Sequence, residues 1–319
     1  LTVHTSIAKT GVVAVLTGNQ GDNGKMIGLR ADMDALDITE ENDLPYASKT
    51  PGKMHACGHD GHTSMLLGAA KHLSANPDFA GRVAFIFQPA EEGAGGAHTM
   101  CQEGLFERFP CDSVYGLHNW PGLPVGHFAI REGAIMASTD SFDITIRGKG
   151  THAAMPELGI DPIIIASQLI NALQTIVSRS LAATENGVVS VTKIEAGSAY
   201  NIIPDKVVLS GTVRTFSDSV RTTIHRLLEQ QTNAICQGLG ATASVVFSDA
   251  YPTTVNDAVH TRICARVASA MVGTKNVHLD VTPSMGAEDF SYMLQQKPGA
   301  YIWMGGGDGY GLHHPKYNF

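Results

Sequence analysis

Thiol, imidazole and carboxylate groups crowd the segment His55-Ala-Cys57-Gly-His59-Asp60-Gly-His62. Two further carboxylates, Glu91-Glu92, follow the apolar run Val83-Ala-Phe-Ile-Phe87. These are the ligand types that borderline-soft divalent metals take. A carboxylate left over beside the ligands is the base that metal-assisted hydrolysis needs. The first segment alone is ambiguous. Joined to His118 and to His313-His314 downstream, it points to a metallohydrolase.

Each part also has a plainer reading. Cys57 and His59 lie two apart in a glycine-punctuated loop, where extended backbone puts both side chains on one side, close enough to chelate. The alternative is a buried cysteine beside surface histidines; the density of His and Asp around the pair favours a metal. A structural zinc would close its shell with four Cys/His ligands and leave no spare acid pair. Glu91-Glu92 could be a solvated turn, yet adjacent carboxylates at a strand end repel unless a cation or a proton neutralises one. The Gly93-Ala-Gly-Gly96 that follows permits close backbone approach and suits a cleft. His118 and His313 are each a moderate signal, since a single histidine is more often a hydrogen-bonded structural residue than a ligand. His55, His62, His72, His98, His127 and His314 are left in that role, with His55 and His62 placed to hydrogen-bond metal ligands.

These groups need elements to hold them. Met26–Asp32, Arg82–Gln88 and Ser113–His118 read as strands, with an Ala/Leu/Met-rich helix over His62–Leu73 and a Gly-rich helix start in Gly93–Leu105. Alternating strands and helices imply an α/β fold, a largely parallel sheet covered by helices, whose ligands gather at the carboxyl ends of the strands. Asp32, Glu91-Glu92 and His118 all fall at or just past such ends.

After Pro124 the pattern changes. Ser141–Arg147, Gly187–Ile194, Lys206–Val213 and Ala241–Phe247 read as strands, and Asp161–Arg179 and Asp218–Gly238 as helices. The order β-α-β-β-α-β is the ferredoxin-like arrangement. It predicts an inserted lid over residues 138–248, interrupting a catalytic, metal-binding domain of residues 1–137 and 249–319, which resumes near Asp249. His152 in a Gly-rich turn, Asn201 and Arg214 are the lid's candidates for holding a substrate carboxylate and a developing oxyanion. Arg214 alone among them has the planar fork for bidentate carboxylate binding.

A net charge of −8 argues against a nucleic-acid partner, since a phosphate-binding surface needs excess Lys and Arg. No apolar stretch nears the roughly 20 residues of a membrane span. The start, Leu1-Thr-Val-His-Thr, lacks the layout of a signal peptide and reads like a sequence cut into mid-domain. Five scattered cysteines suit a reducing, cytoplasmic setting better than a disulfide framework.

Longer motifs carry a resemblance. Leu29-Arg-Ala-Asp-Met-Asp-Ala-Leu36, His55–His62, Gln88-Pro-Ala-Glu-Glu-Gly93, Gly116-Leu-His-Asn-Trp-Pro121, Gly148-Lys-Gly-Thr-His-Ala-Ala-Met-Pro156, Asn201-Ile-Ile-Pro-Asp205, Met285-Gly-Ala-Glu-Asp-Phe290 and Leu312-His-His-Pro315 occur in this order over nearly the whole chain. They closely resemble the aminoacylase and carboxypeptidase family of dinuclear metallopeptidases, peptidase family M20. Within it they look like the amidohydrolase branch of hippurate hydrolases, N-acyl-amino-acid amidohydrolases and plant auxin-conjugate hydrolases.

The resemblance implies two divalent metal ions, zinc or manganese, with nickel and cobalt as alternatives. Cys57 would bridge them, with His59 and His118 favouring one ion and Glu92 and His313 the other. Glu91 would be the general base, and Asp32 a group that orients a ligand. His152, Asn201 and Arg214 would touch substrate, and the lid would join a homodimer or homotetramer. Relatives also carry a helical segment before the equivalent of Leu1 and a last helix beyond that of Phe319, which predicts a catalytic domain with fewer covering helices. The expected activity is cleavage of an N-acyl amino acid to a carboxylic acid and a free amino acid. The rival readings are a dipeptidase or carboxypeptidase of the same family, a hydrolase with Cys57 as nucleophile paired to His59, and a non-catalytic metal-binding module, which leaves Glu91 unexplained.

Overall fold

Val83-Ala-Phe-Ile-Phe87 is too apolar to face water on either side, and the sheet is built around it. The computed structural model describes residues 1–248 and 251–319, so the expected resumption near Asp249 lies outside the described residues. The chain forms two compact units: Leu1–Ile135 with Thr254–Pro283 and Glu288–Phe319, and Met136–Thr253 with Ser284–Ala287.

The first unit opens with strands β1 (Thr2–Ile7), β2 (Gly11–Thr17) and β3 (Met26–Asp32), then helix α1 (His59–Ala75) and β4 (Arg82–Gln88). Two short helices, α2 (Gly96–Gln102) and α3 (Leu105–Arg108), lead to β5 (Ser113–Pro121), β6 (Phe128–Ile130) and β7 (Gly133–Met136). The second unit holds β8 (Ser138–Arg147), β9 (Thr151–His152), α4 (Pro162–Thr175), β10 (Gly187–Ala196), β11 (Ile202–Ile203), β12 (Lys206–Thr215), α5 (Asp218–Gly238) and β13 (Thr242–Tyr251). The chain returns with β14 (Thr254–Asn256), α6 (Ala258–Val272), β15 (Val277–Leu279), α7 (Ser291–Gln296) and β16 (Gly299–Gly307). No helix among the described residues is long and apolar enough to cross a membrane.

The large sheet has the order β1-β2-β4-β3-β5-β16-β6-β15. Its centre is parallel, β4 with β3, β3 with β5 and β5 with β16, while β1, β2 and β6 add antiparallel pairs. On β4, Val83 to Gln88 are all buried, as an interior strand requires. α1 buries His59, His62, Leu66 and Ala70, a stripe at three- and four-residue spacing. Leu66 and Ala70 pack with Phe85 and Phe87 of β4 in one apolar cluster.

The second unit is the expected βαββαβ: an antiparallel sheet of order β10-β12-β8-β13 with α4 and α5. Its core joins Phe142, Ile144 and Ile146 of β8 to Leu169 and Leu173 of α4, Leu209 and Val213 of β12 and Ile224 and Leu228 of α5.

Three element readings need correction. The helix expected over Gly93–Leu105 is two short helices broken at Gly104, which takes φ 81°. The helix expected to reach Arg179 ends at Thr175 and gives way to a π-turn over Ile176–Ser180. β5 runs past His118 to Pro121 because β16 pairs with it throughout, so His118 sits inside a strand and not at its end.

Candidate metal centre

Register puts the chemistry on one level. Asp32 pairs with Gln88 across β3 and β4, and Arg30 pairs with Gly116 of β5, two residues before His118. The loop after β4 carries Glu91 and Glu92 to the same edge. Gly58, at φ 86°, turns the chain between Cys57 and the first residue of α1, His59. A Cβ on Gly58 would meet the Asn119 side chain at 2.8 Å. Ala90 and His313 also lie in the left-handed region, at φ 56° and 65°. Non-glycine residues rarely stay there unless their surroundings hold them, at a cost of order 1–3 kcal/mol. The His313 N–H donates to Ala56 O at 2.8 Å, which ties its loop beside Cys57.

The side chains converge. Cys57 Sγ lies 3.5 Å from His118 Nε2, His313 Nε2 lies 3.1 Å from Glu92 Oε1, and ligand atoms of Cys57, His59 and Glu92 all fall within 4.8 Å of one another. His59 Nδ1 faces Asp34 O and Oδ1 at 3.1 and 3.2 Å, which aims Nε2 into the cluster. That Nε2 is fully buried and has no hydrogen-bond partner among the described residues; Asp32 Oδ2 is 3.6 Å away and Glu92 Oε1 3.9 Å. His118 Nδ1 meets Asn119 O at 2.6 Å, so its Nε2 too is left for the cluster. An orphaned imidazole nitrogen beside a thiol and a carboxylate fits a cation.

The charge balance agrees. Burial opposes a charge on His59, but Asp32 and Asp34 outweigh it and lift its pKa to about 9. Burial and then His62 push His118 well down, leaving the neutral imidazole that ligates metals. Burial, then Glu92 and Glu91, push the Cys57 thiol far up, so only a nearby cation would favour the thiolate. Burial, then Glu288 and Asp289, raise Glu91.

Asp32 does something different from what its place in the sequence suggests. Its Oδ1 is 2.5 Å from His62 Nδ1, and its Oδ2 accepts from Arg30 Nη1 at 2.9 Å. The other ring nitrogen of His62 meets Asn119 Oδ1 at 2.6 Å, so His62 has no nitrogen to spare for a metal. The ligand-orienting carboxylate is Asp34, which holds His59 and also accepts the Glu92 N–H at 2.9 Å. The sequence signal was the i, i+2 spacing of Asp32 and Asp34. His55, half-buried, meets Asp34 O at 3.1 Å.

A second group went unassigned in the sequence. The buried Arg30 guanidinium donates to Gln88 Oε1 at 2.7 Å, Asp32 Oδ2 at 2.9 Å, Glu288 Oε1 at 2.7 Å and Asp289 Oδ1 at 3.1 Å. The Tyr301 hydroxyl donates to the other Glu288 oxygen. These carboxylates lie next to Glu91: ligand atoms of Glu91, Glu288 and Asp289 fall within 4.8 Å of one another.

In the second unit, His152 and Asn201 come together, with Ile202 paired to His152 and the Ala153 N–H donating to Asn201 O at 3.0 Å. Both lie beyond the Lys206 end of β12. Arg214, half-buried, lies near the opposite end, between Thr139 of β8 and Val188 of β10. Eight residues of strand, roughly 26 Å, intervene. The expected trio is therefore a pair and a distant arginine within one chain.

A parallel-centred α/β sheet with a thiol, imidazoles and carboxylates at its edge, interrupted by a ferredoxin-like unit, defines a metal-dependent hydrolase. Residues 28–319 match Peptidase family M20/M25/M40, and the chain belongs to that family. It is 41% identical over 310 residues to an N-acetylcysteine deacetylase of Bacillus subtilis, covering 97% of this chain and 80% of that one. A hippurate hydrolase of Campylobacter jejuni is 42% identical, with 99% and 82% covered. Among solved structures, a Bacillus subtilis dinuclear metal-binding peptidase of the M20 family superposes with a TM-score of 0.85 at 37% identity, covering 100% of this chain and 82% of that one.

Proposed function

We propose that this chain is a metal-dependent amidohydrolase that cleaves N-acyl amino acids, of the hippurate or N-acetyl type, to a carboxylic acid and a free amino acid. The observation that carries the reading is the convergence of Cys57, His59, Glu92, His118 and His313 with Glu91 beside them. Cys57 would be shared, His59 and His118 holding one ion and Glu92 and His313 the other. A thiolate with three imidazoles favours zinc, and the carboxylate admits manganese, nickel or cobalt. When bound, the two ions supply Lewis acidity for the amide carbonyl and for the attacking water.

The chain's own groups do the rest. Glu91, buried next to Glu92, takes the proton of the attacking water and returns it to the leaving nitrogen. Asp34 keeps the His59 ring in one orientation through both steps. Arg214 binds the substrate's free carboxylate, and His152 with Asn201 donates to the amide oxygen as it gains charge. One chain separates these lid residues by most of a strand, so we infer a homodimer or homotetramer in which a site takes Arg214 from one chain and His152 from another. Met155, Leu158, Ile164, Tyr200 and Ile202 are exposed in and around the His152 segment, as an association surface requires. The five cysteines are all free, which suits the cytoplasm.

A Cys57 nucleophile is disfavoured, since burial and the neighbouring glutamates suppress the thiolate it would need. The test is a panel of N-acyl amino acids, with free dipeptides as controls, assayed after chelation and after return of zinc, manganese, nickel or cobalt. Metal-restored hydrolysis of the acylated compounds is expected. Preference for a free amino terminus would favour the dipeptidase, and full activity without metal would end the mechanism.

A further inference from the structure

The Glu91-Glu92 loop folds back on itself through two backbone bonds, the Gly93 N–H to Glu91 O at 2.8 Å and the Gly96 N–H to Ala90 O at 2.9 Å. It contains Ala90 in the left-handed region, and Gly93 and Gly95 at φ 94° and 63°. Under the proposed function it must fix a base and a metal ligand at once. One residue outside the loop touches both of its ends. Asp289 Oδ1 accepts from Gln88 Nε2 at 2.7 Å, at the end of β4 before the loop, and Asp289 Oδ2 accepts from the Ala97 N–H at 2.9 Å, in α2 after it. The Asp289 backbone N–H faces Glu91 Oε1 at 3.4 Å. Arg30, from β3, donates to the same carboxylate at 3.1 Å and ties it to the sheet. Asp289 is fully buried, and a buried carboxylate with three donors is held to one geometry.

We propose that Asp289 is a positioning residue, a clasp that closes the segment from Gln88 to Ala97 and thereby sets the direction of Glu91 and the reach of Glu92. It acts through the loop and touches neither substrate nor metal. The inference rests on the assignment of Glu91 as base for its kinetic consequence, but not for its structural one.

Asp289→Asn keeps size and the backbone N–H but offers a single acceptor oxygen, so one end of the loop is released. Gln88→Met removes the other attachment, and with it the acceptor of the Arg30 Nε–H. In the metal-loaded enzyme, Asp289→Asn should lower kcat at least tenfold with KM within about twofold of wild type. Amides of residues 90–96 should lose hydrogen-exchange protection while β3 and β5 keep theirs. Combining it with Gln88→Met should cost less than the product of the two single losses, because both open the same clasp. Asp289→Glu, which can restore both acceptors, should regain part of kcat. If exchange in residues 90–96 is unchanged in Asp289→Asn, the clasp is wrong. Uniform loss of protection across the whole unit would also overturn it, by making Asp289 a general core residue. Increased exchange confined to the loop with no change in kcat would keep the clasp and remove Glu91 as base.

Discussion

Glu91 and Glu92 share a peptide bond but not an environment. The Glu92 carboxylate faces His313 and His59 at the cluster, while Glu91 turns toward Glu288 and Asp289. Burial and those two carboxylates push the Glu91 carboxyl up, which suits a base that must hold a proton in transit. Glu91→Gln should keep its metal and lose roughly 10²–10⁴ in kcat, whereas Glu92→Gln should lose metal, as mass spectrometry of the native protein would show. The reverse pattern would exchange the two roles. The division of labour was legible in the sequence only as a pair. Which carboxylate meets His313 and which lies beside Glu288 and Asp289 involves partners about 200 residues away in the sequence.

At the scale of elements, α5 is tied to β8 by charge. Arg221 donates to both Asp140 oxygens, at 2.8 and 2.6 Å, and His225 Nε2 lies 3.3 Å from one of them. Burial opposes the charge on Asp140, but His225 and Arg221 outweigh it and hold the carboxyl below its ordinary 3.8. The folded state thus releases this proton more readily than the unfolded chain. The stabilisation is complete above the unfolded value and is lost as pH falls through the lower folded one. Asp140→Asn should therefore melt below wild type at pH 7, with the gap closing below about pH 4. Calorimetry across that range would show it; a gap independent of pH would mean that Asp140 acts through packing alone. α5 itself was readable end to end, because Val220, Ile224, Leu228, Thr232 and Cys236 recur every fourth residue. The extension of β5 through Asn119-Trp-Pro was not, since the hydrogen bonds that make it a strand come from β16, far along the sequence.

For the whole molecule, the separation of Arg214 from His152 and Asn201 has the largest consequence. Arg214→Ala should raise KM strongly for substrates with a free carboxylate and barely for the matching amide or ester, a discrimination of about 1.5–3 kcal/mol. Alone, the Arg214→Ala and His152→Ala enzymes should both be impaired. Mixed after mild dissociation, they should recover activity, because a mixed dimer then holds one site with both residues intact. Mixtures no better than the mean of the two parents would confine the substrate site to single chains.

Composition and spacing by themselves determined the ligand types, the two-unit α/β plan and the candidates Cys57, His59, Glu91, Glu92, His118 and His313. Ligand chemistry is a property of residue type, and local periodicity survives in any fold that buries one face. Only the tertiary structure decided that Asp34 and not Asp32 orients His59, that Arg30 gathers Asp32, Glu288 and Asp289, and that Arg214 stands a strand's length from Asn201. Arg30 and Glu288 are 258 residues apart in sequence, and nothing in either neighbourhood specifies the other. Their pairing arises because an uncompensated charge is too costly to bury, so the fold must bring buried charges to one another.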